Sequence, residues 1–167
     1  MRLVGIDPDL RGGFAVVEPD AHKIIYLGRI PVYEPPVKGK RRLDAPALLA
    51  LLKAAVRSGA TFVCMETAIV RPQTTTKGMA LTAGIDTTHQ TYGGIRALAE
   101  GVFGRGRVLA VHPTSWKSAM GLTRDKGLSS ELAAELYPSH AGVFKVKKND
   151  GLAEAVLLAT HGKHKCT

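Results

Sequence analysis

Cysteine is nearly missing from this 167-residue chain; there are two, Cys64 inside an apolar run and Cys166 at the tail. Their separation fits neither a metal site nor a disulfide framework, which excludes a stapled scaffold and a zinc module. They read as reduced thiols of an intracellular compartment. Long hydrophobic runs are missing too: none approaches the roughly 18 residues of a membrane span, so no membrane partner is expected. There is no internal repeat, low-complexity tract or linker, which leaves one domain over residues 1–167. No secretory or transit segment precedes the first strand, as expected of a chain trimmed from a longer precursor. Acidic residues are the last shortage, 14 against 23 Lys and Arg, a net charge of +9. That imbalance points to a polyanionic partner, of which nucleic acid is the commonest, against the plainer reading of a basic surface.

What is present is 45% hydrophobic and periodic. Three strand-like runs come first, at 3–7, 14–18 and 23–30, separated by turn residues that include Pro8, Gly12, Gly13, Pro19 and Asp20. A basic loop follows over 31–42. Asp44 has the position of a helix N-cap, the leucines from 48 to 52 give helical periodicity, and Gly59 ends the helix. A short strand over 61–65 ends on Glu66, and a polar loop over 71–77 leads to a helix expected at 86–103. Then come a strand at 107–111, short helices near 115–120 and 129–137, and a last helix from about 150 to 160. A meander followed by strand–helix alternation predicts an α/β mixed five-stranded sheet with helices on both faces, the order of the RNase H-like fold.

Asp7 is the most informative residue, because an unpaired charge is costly to bury and yet it closes an apolar strand. Glu66 closes another strand. If the two strands are neighbours, the carboxylates share one end of the sheet. Asp150 and Glu154 are four apart and share a helical face. Four such oxygen donors suit a pair of hard cations, Mg²⁺ or Mn²⁺, that would clamp the oxygens of a phosphoryl displacement. Each has a plainer alternative: Asp7 as a turn cap, Glu66 as a surface strand end, Asp150 as a helix N-cap, Glu154 as a solvated residue.

Gly5-Ile6-Asp7-Pro8, Glu66 at its strand end, and Val111-His112-Pro113-Thr114-Ser115-Trp116-Lys117 followed by Gly121 and Lys126 resemble RuvC-type Holliday junction resolvases nearly end to end. Bacterial members carry Asp-x-x-Asp in the last helix, where this chain has Asp150-Gly-Leu-Ala-Glu154. That variant, with Gly5 to Gly12, looks closest to the monokaryotic-chloroplast resolvases of plants and green algae. The resemblance implies a metal-dependent endonuclease with two Mg²⁺ (or Mn²⁺) ions, four-way junction DNA as substrate, a homodimer, and location in the chloroplast. It also makes Lys117 and Lys126 active-site basic residues, one of which would orient the attacking water or stabilise developing charge.

The position of the family's base-stacking aromatic, just after Glu66, holds Ala68 or Ile69. The loop with Arg71, Gln73, Lys77 and Met79 is the candidate for engaging the crossover, with phosphate ligands, hydrogen-bonding groups and an apolar wedge. Two basic clusters are candidates for backbone phosphates: Lys38, Lys40, Arg41 and Arg42, and Lys145, Lys147 and Lys148 beside Asp150. Trp116 reads as a core anchor, and His161 and His164 as tail residues. Rival readings are an RNA-processing nuclease or inactive nucleic-acid binder of the same fold, and an actin-like ATPase or sugar kinase. The last normally needs a second similar domain and a far longer chain. The helix at 86–103, with Ile95, Leu98, Ala99 and Val102 on one side, is the expected dimer element, although that stripe equally suits packing on the sheet.

Overall fold

The computed structural model describes residues 1–34, 41–68, 78–123 and 126–165, except for the side chains of 78–87 and 126. Strands β1 (Arg2–Ile6), β2 (Gly13–Glu18) and β3 (Lys23–Arg29) form the expected meander. A two-residue hairpin, β4 (Val32–Tyr33) with β5 (Arg42–Leu43), falls where the sequence suggests only a loop. Helix α1 (Ala45–Arg57) starts as expected: Asp44 Oδ1 accepts the backbone N–H of Ala47 at 3.0 Å, and Gly59 leaves the helix at φ +92°. Next come β6 (Ala60–Glu66), α2 (Gly78–Phe103) and β7 (Val108–Val111). Helices α3 (Pro113–Ala119), α4 (Lys126–Leu136), α5 (Ala141–Phe144) and α6 (Asp150–Gly162) complete the chain.

The main sheet has the order β3-β2-β1-β6-β7, with β1 antiparallel to β2 but parallel to β6. It is therefore mixed and five-stranded. Alternation along β1 divides its side chains between two cores. Val4 and Ile6 join Leu48 and Leu52 of α1 and Ile95 and Ala99 of α2 on one face. Leu3 joins Trp116, Tyr137, Phe144 and the length of α6 on the other. Helices thus cover both faces, as predicted.

The most buried helix is α6, buried from Gly151 to Ala159 and lying on β1 and β2 beneath α4. Glycine lets it lie so close. A Cβ on Gly5 would overlap the carbonyl oxygen of Ala155, and one on Gly13 would overlap that of Gly151. This close approach brings the start of α6 to the end of β1. No helix among the described residues is long and apolar enough to cross a membrane.

Candidate active site

Asp7 follows β1 directly, and its backbone N–H donates to the carbonyl of Gly13 at 3.0 Å, which fixes the turn. Glu66 is the last residue of β6. Because Ile6 pairs with Met65 across parallel strands, the two carboxylates stand at the same end of the sheet. Glu154 arrives from α6. Burial, then the charges of Glu154 and Glu66, push the Asp7 carboxyl well above the usual carboxylate range. Burial also raises Glu66, against a hydrogen bond from Trp116 that lowers it.

Two adjacent residues of α3 hold the other two carboxylates. Trp116 Nε1 donates to Glu66 Oε2 at 2.8 Å, and Lys117 Nζ donates to Glu154 Oε1 at 2.7 Å. The Lys117 ammonium also lies 5.2 Å from the centroid of the Trp116 ring. Helix α3 is set for this by its start, where His112 accepts the N–H of Thr114 and Pro113 occupies the first turn. Trp116 is the core anchor expected, fully buried, but its indole N–H has a further task that sequence reading missed.

The site therefore gathers three carboxylates about one ammonium, whose charge acts on Asp7 and Glu66 as well as on Glu154. Asp150 makes no hydrogen bond or ion pair with the three among the described residues. It is the first residue inside α6, with helical φ and ψ, so it is not an N-cap; Asn149 has that position. Its side chain lines a neighbouring cavity. The next residue, Gly151, faces Asp7, and a Cβ there would stand 2.7 Å from Asp7 Oδ2.

Whether these residues suit a divalent cation can be judged from their chemistry. The donors are hard oxygens, and the charge of Lys117 is outweighed at Asp7 by burial and by the neighbouring carboxylates, which is the deficit a cation fills. As arranged, no three His, Cys, Asp or Glu side chains among the described residues form a group able to hold a metal ion. Lys117 and Trp116 each engage one of the oxygens such an ion would need. The donor set fits, and among the described residues Trp116 and Lys117 each leave the second oxygen of their carboxylate unengaged.

Arg29, which the sequence reading passed over, braces the start of α6. Its guanidinium donates to the carbonyls of Arg11 and Lys148 and to Asn149 Oδ1, the last at 2.8 Å. Asn149 Nδ2 in turn donates to the carbonyl of Val143 at 2.8 Å. The signal available was a lone arginine closing an otherwise apolar strand end.

Of the expected nucleic-acid contacts, Lys145, Lys147 and Lys148 are exposed, and among the described residues none pairs with a carboxylate. Arg41 pairs with Glu34 at 3.0 Å, and Arg42 is exposed on β5. Lys117 faces inward, on Glu154. Lys38, Lys40, Arg71, Gln73 and Lys77 lie outside the described residues. Met79 is in α2 and Lys126 opens α4, but their side chains are not described. His161 is buried eleven residues beyond Asp150, about 16 Å along α6 at ~1.5 Å per residue, and so takes no part here.

No protein-family model and no curated protein matches the chain. Solved structures do. T. thermophilus RuvC in complex with a Holliday junction substrate aligns with a TM-score of 0.60 at 18% identity, over 99% of this chain and 95% of that one. A second Thermus thermophilus RuvC structure aligns at 0.57 and 16% identity over the same shares. At such identity the likeness establishes architecture, and the chain has the RNase H-like fold found in RuvC.

Proposed function

We propose that this chain is a metal-dependent endonuclease that resolves four-way DNA junctions. The observation that carries the reading is the convergence of Asp7, Glu66 and Glu154 about Lys117 at the ends of two adjacent parallel strands. The same fold occurs in a protein solved with a Holliday junction.

Asp7, Glu66 and Glu154, with Asp150 at the start of α6, would hold two Mg²⁺ or Mn²⁺ ions. When bound, these supply an activated water and neutralise charge on the scissile phosphate. The chain's own residues do the rest. Trp116 fixes the orientation of Glu66. Lys117, once Glu154 turns to a cation, has an ammonium free to meet the phosphate. Lys145, Lys147 and Lys148 supply contacts to the DNA backbone beside the cut. A homodimer matches the two-fold substrate, and the sequence resemblance to chloroplast resolvases supports a role in plastid DNA recombination and nucleoid segregation.

The test is cleavage of a labelled four-way junction beside duplex and RNA–DNA hybrid controls, in Mg²⁺, Mn²⁺, Ca²⁺ and EDTA. Paired symmetric cuts confined to the junction, present in Mg²⁺ or Mn²⁺ and abolished in Glu66→Gln while binding persists, are expected. Preferential cutting of the hybrid would replace this reading with an RNA-processing nuclease.

A further inference from the structure

Arg29 ends β3, an edge strand of the main sheet, yet its guanidinium reaches the two segments that carry Asp7 and Asp150. One terminal nitrogen, Nη1, donates to the carbonyl of Arg11, in the turn between Asp7 and β2. The other, Nη2, donates to the carbonyl of Lys148 and to Asn149 Oδ1, just ahead of Asp150. Each segment is already tied within itself. Asp9 Oδ1 accepts the N–H of Arg11 at 2.9 Å and the Asp9 carbonyl that of Gly12 at 2.8 Å, while Asn149 is held to Val143. One side chain thus joins two formed pieces.

Electrostatics does not account for an arginine here. Its acceptors are all neutral, and among the described residues no carboxylate pairs with it. The charge stands at the start of α6, where a helix favours anions, and next to the exposed Lys147 and Lys148. What arginine alone supplies is a planar fork, with separate nitrogens for two segments at once. The gap it spans is the one that matters. A Cβ on Gly151 would stand 2.7 Å from Asp7 Oδ2, 2.8 Å from Gly12 Cα and 3.1 Å from the Arg11 carbonyl oxygen. The Arg11 carbonyl is therefore both a neighbour of α6 and an acceptor of Arg29.

We propose that Arg29 is a positioning residue for the cation site, holding the start of α6 at a set distance from Asp7. It bonds to no carboxylate and acts only through Arg11, Lys148 and Asn149. A cation shared by strand carboxylates and α6 carboxylates needs those elements in register. If α6 drifts, affinity falls although every ligand is still present. Loss of a supporting residue outside the ligand set typically costs about 10–100-fold in metal affinity. The inference rests on reading Asp7, Glu66, Asp150 and Glu154 as cation ligands, and deepens it by naming what sets their spacing.

The experiment reads metal binding without DNA and cutting separately. Tb³⁺, a hard cation that takes oxygen ligands, is titrated into the protein while emission sensitised by the single tryptophan is followed. Trp116 donates to Glu66, so an ion on the carboxylates lies close to it. Glu66→Gln should abolish the signal, and Mg²⁺ should displace the ion. Arg29→Met should weaken Tb³⁺ binding about tenfold. Charge alone predicts the opposite sign, because removing a nearby positive charge favours a cation. Arg29→Lys, which keeps the charge and loses the fork, should also weaken binding, and Asn149→Ala should do so to a smaller extent. In cleavage, the Mg²⁺ concentration for half-maximal cutting should rise by the same factor in Arg29→Met, with the rate at saturating Mg²⁺ nearly recovered. Circular dichroism and urea titration in EDTA show which variants are folded.

Unchanged or tighter Tb³⁺ binding in Arg29→Met, whatever its urea midpoint, overturns the inference and leaves Arg29 a structural brace. If Arg29→Met does not fold, Arg29→Lys and Asn149→Ala decide, and full affinity in both overturns it. Absence of sensitised emission from the natural chain also overturns it, since there is then no cation site to position. Weakened Tb³⁺ binding in the variants, with no cutting by the natural chain in any metal, would instead sink the nuclease reading and leave the role of Arg29 standing.

Discussion

At the scale of single residues, the site is a problem of charge. Asp7 is pushed toward its protonated form by burial and by Glu154 and Glu66, so the folded chain without metal holds that proton more tightly than the unfolded chain. The stabilisation from this proton is full below the ordinary value of 3.8 and is lost as pH rises through the higher folded value. Asp7→Asn removes the penalty. Its melting temperature in EDTA at neutral pH should exceed that of the natural chain, and the gap should narrow on acidification; an equal or lower value would show that Asp7 is not destabilised. Lys117 is the opposite case. Its pair with Glu154 is largely shielded from water, with side-chain exposures of 20% and 12%. Breaking a buried pair from one side is costly, so Lys117→Met should lose about 3 kcal/mol in EDTA. Urea titrations with and without Mg²⁺ should show a smaller loss with the ion, since a cation then replaces the ammonium. Equal loss in both would deny any exchange between the two.

At the scale of elements, the site depends on how closely α6 lies on the sheet. Gly5→Ala would set a methyl group into the carbonyl of Ala155, a backbone atom that cannot step aside. We expect at least about 3 kcal/mol of destabilisation from such overpacking, read as a lower urea midpoint, with junction cutting lost in step. Preserved stability would mean that α6 can ride higher on the sheet than its packing suggests. The sequence announces this helix plainly, because its apolar run surrounds Glu154, and it announces the meander through its glycines and prolines. Other elements were harder to read. Helix α2 begins at Gly78 rather than near 86, since Gly78, Thr82, Gly84, Thr87 and Thr88 are poor helix formers and disguise its first turns. The strands of the β4–β5 hairpin are two residues long, too short to show a period. Asp7 and Glu66 were legible because each is a charge closing an apolar strand. The pairing of Glu154 with Lys117 was not, because four-residue spacing gives a shared face but not what packs against it. The reach of Arg29 to Asn149 and of Trp116 to Glu66 depends on distances that only the folded chain defines.

At the scale of the whole molecule, a +9 chain meeting a polyanion should bind it through phosphates first. Replacing Lys145, Lys147 and Lys148 with serine should weaken junction binding alike for all sequences. The slope of log affinity against log salt should fall by about 0.9 for each phosphate that is no longer neutralised. An unchanged slope would leave these lysines only a solubilising role. Cutting both strands of a junction would pose a different demand, since each chain would carry one catalytic group and a junction has an approximate two-fold axis. An isologous dimer answers that symmetry. The inward stripe of α2 cannot serve as its interface, because Ile95 and Ala99 are wholly buried in the chain's own core. The two-chain arrangement can be read from products. In mixtures of the natural chain with Glu66→Gln, dimers with one competent site should nick a junction without resolving it. Nicked product should therefore rise as the variant fraction rises, and sedimentation should find two chains on each junction. Resolution that merely slows in proportion to dilution, with no nicked product, would mean that one chain makes both cuts.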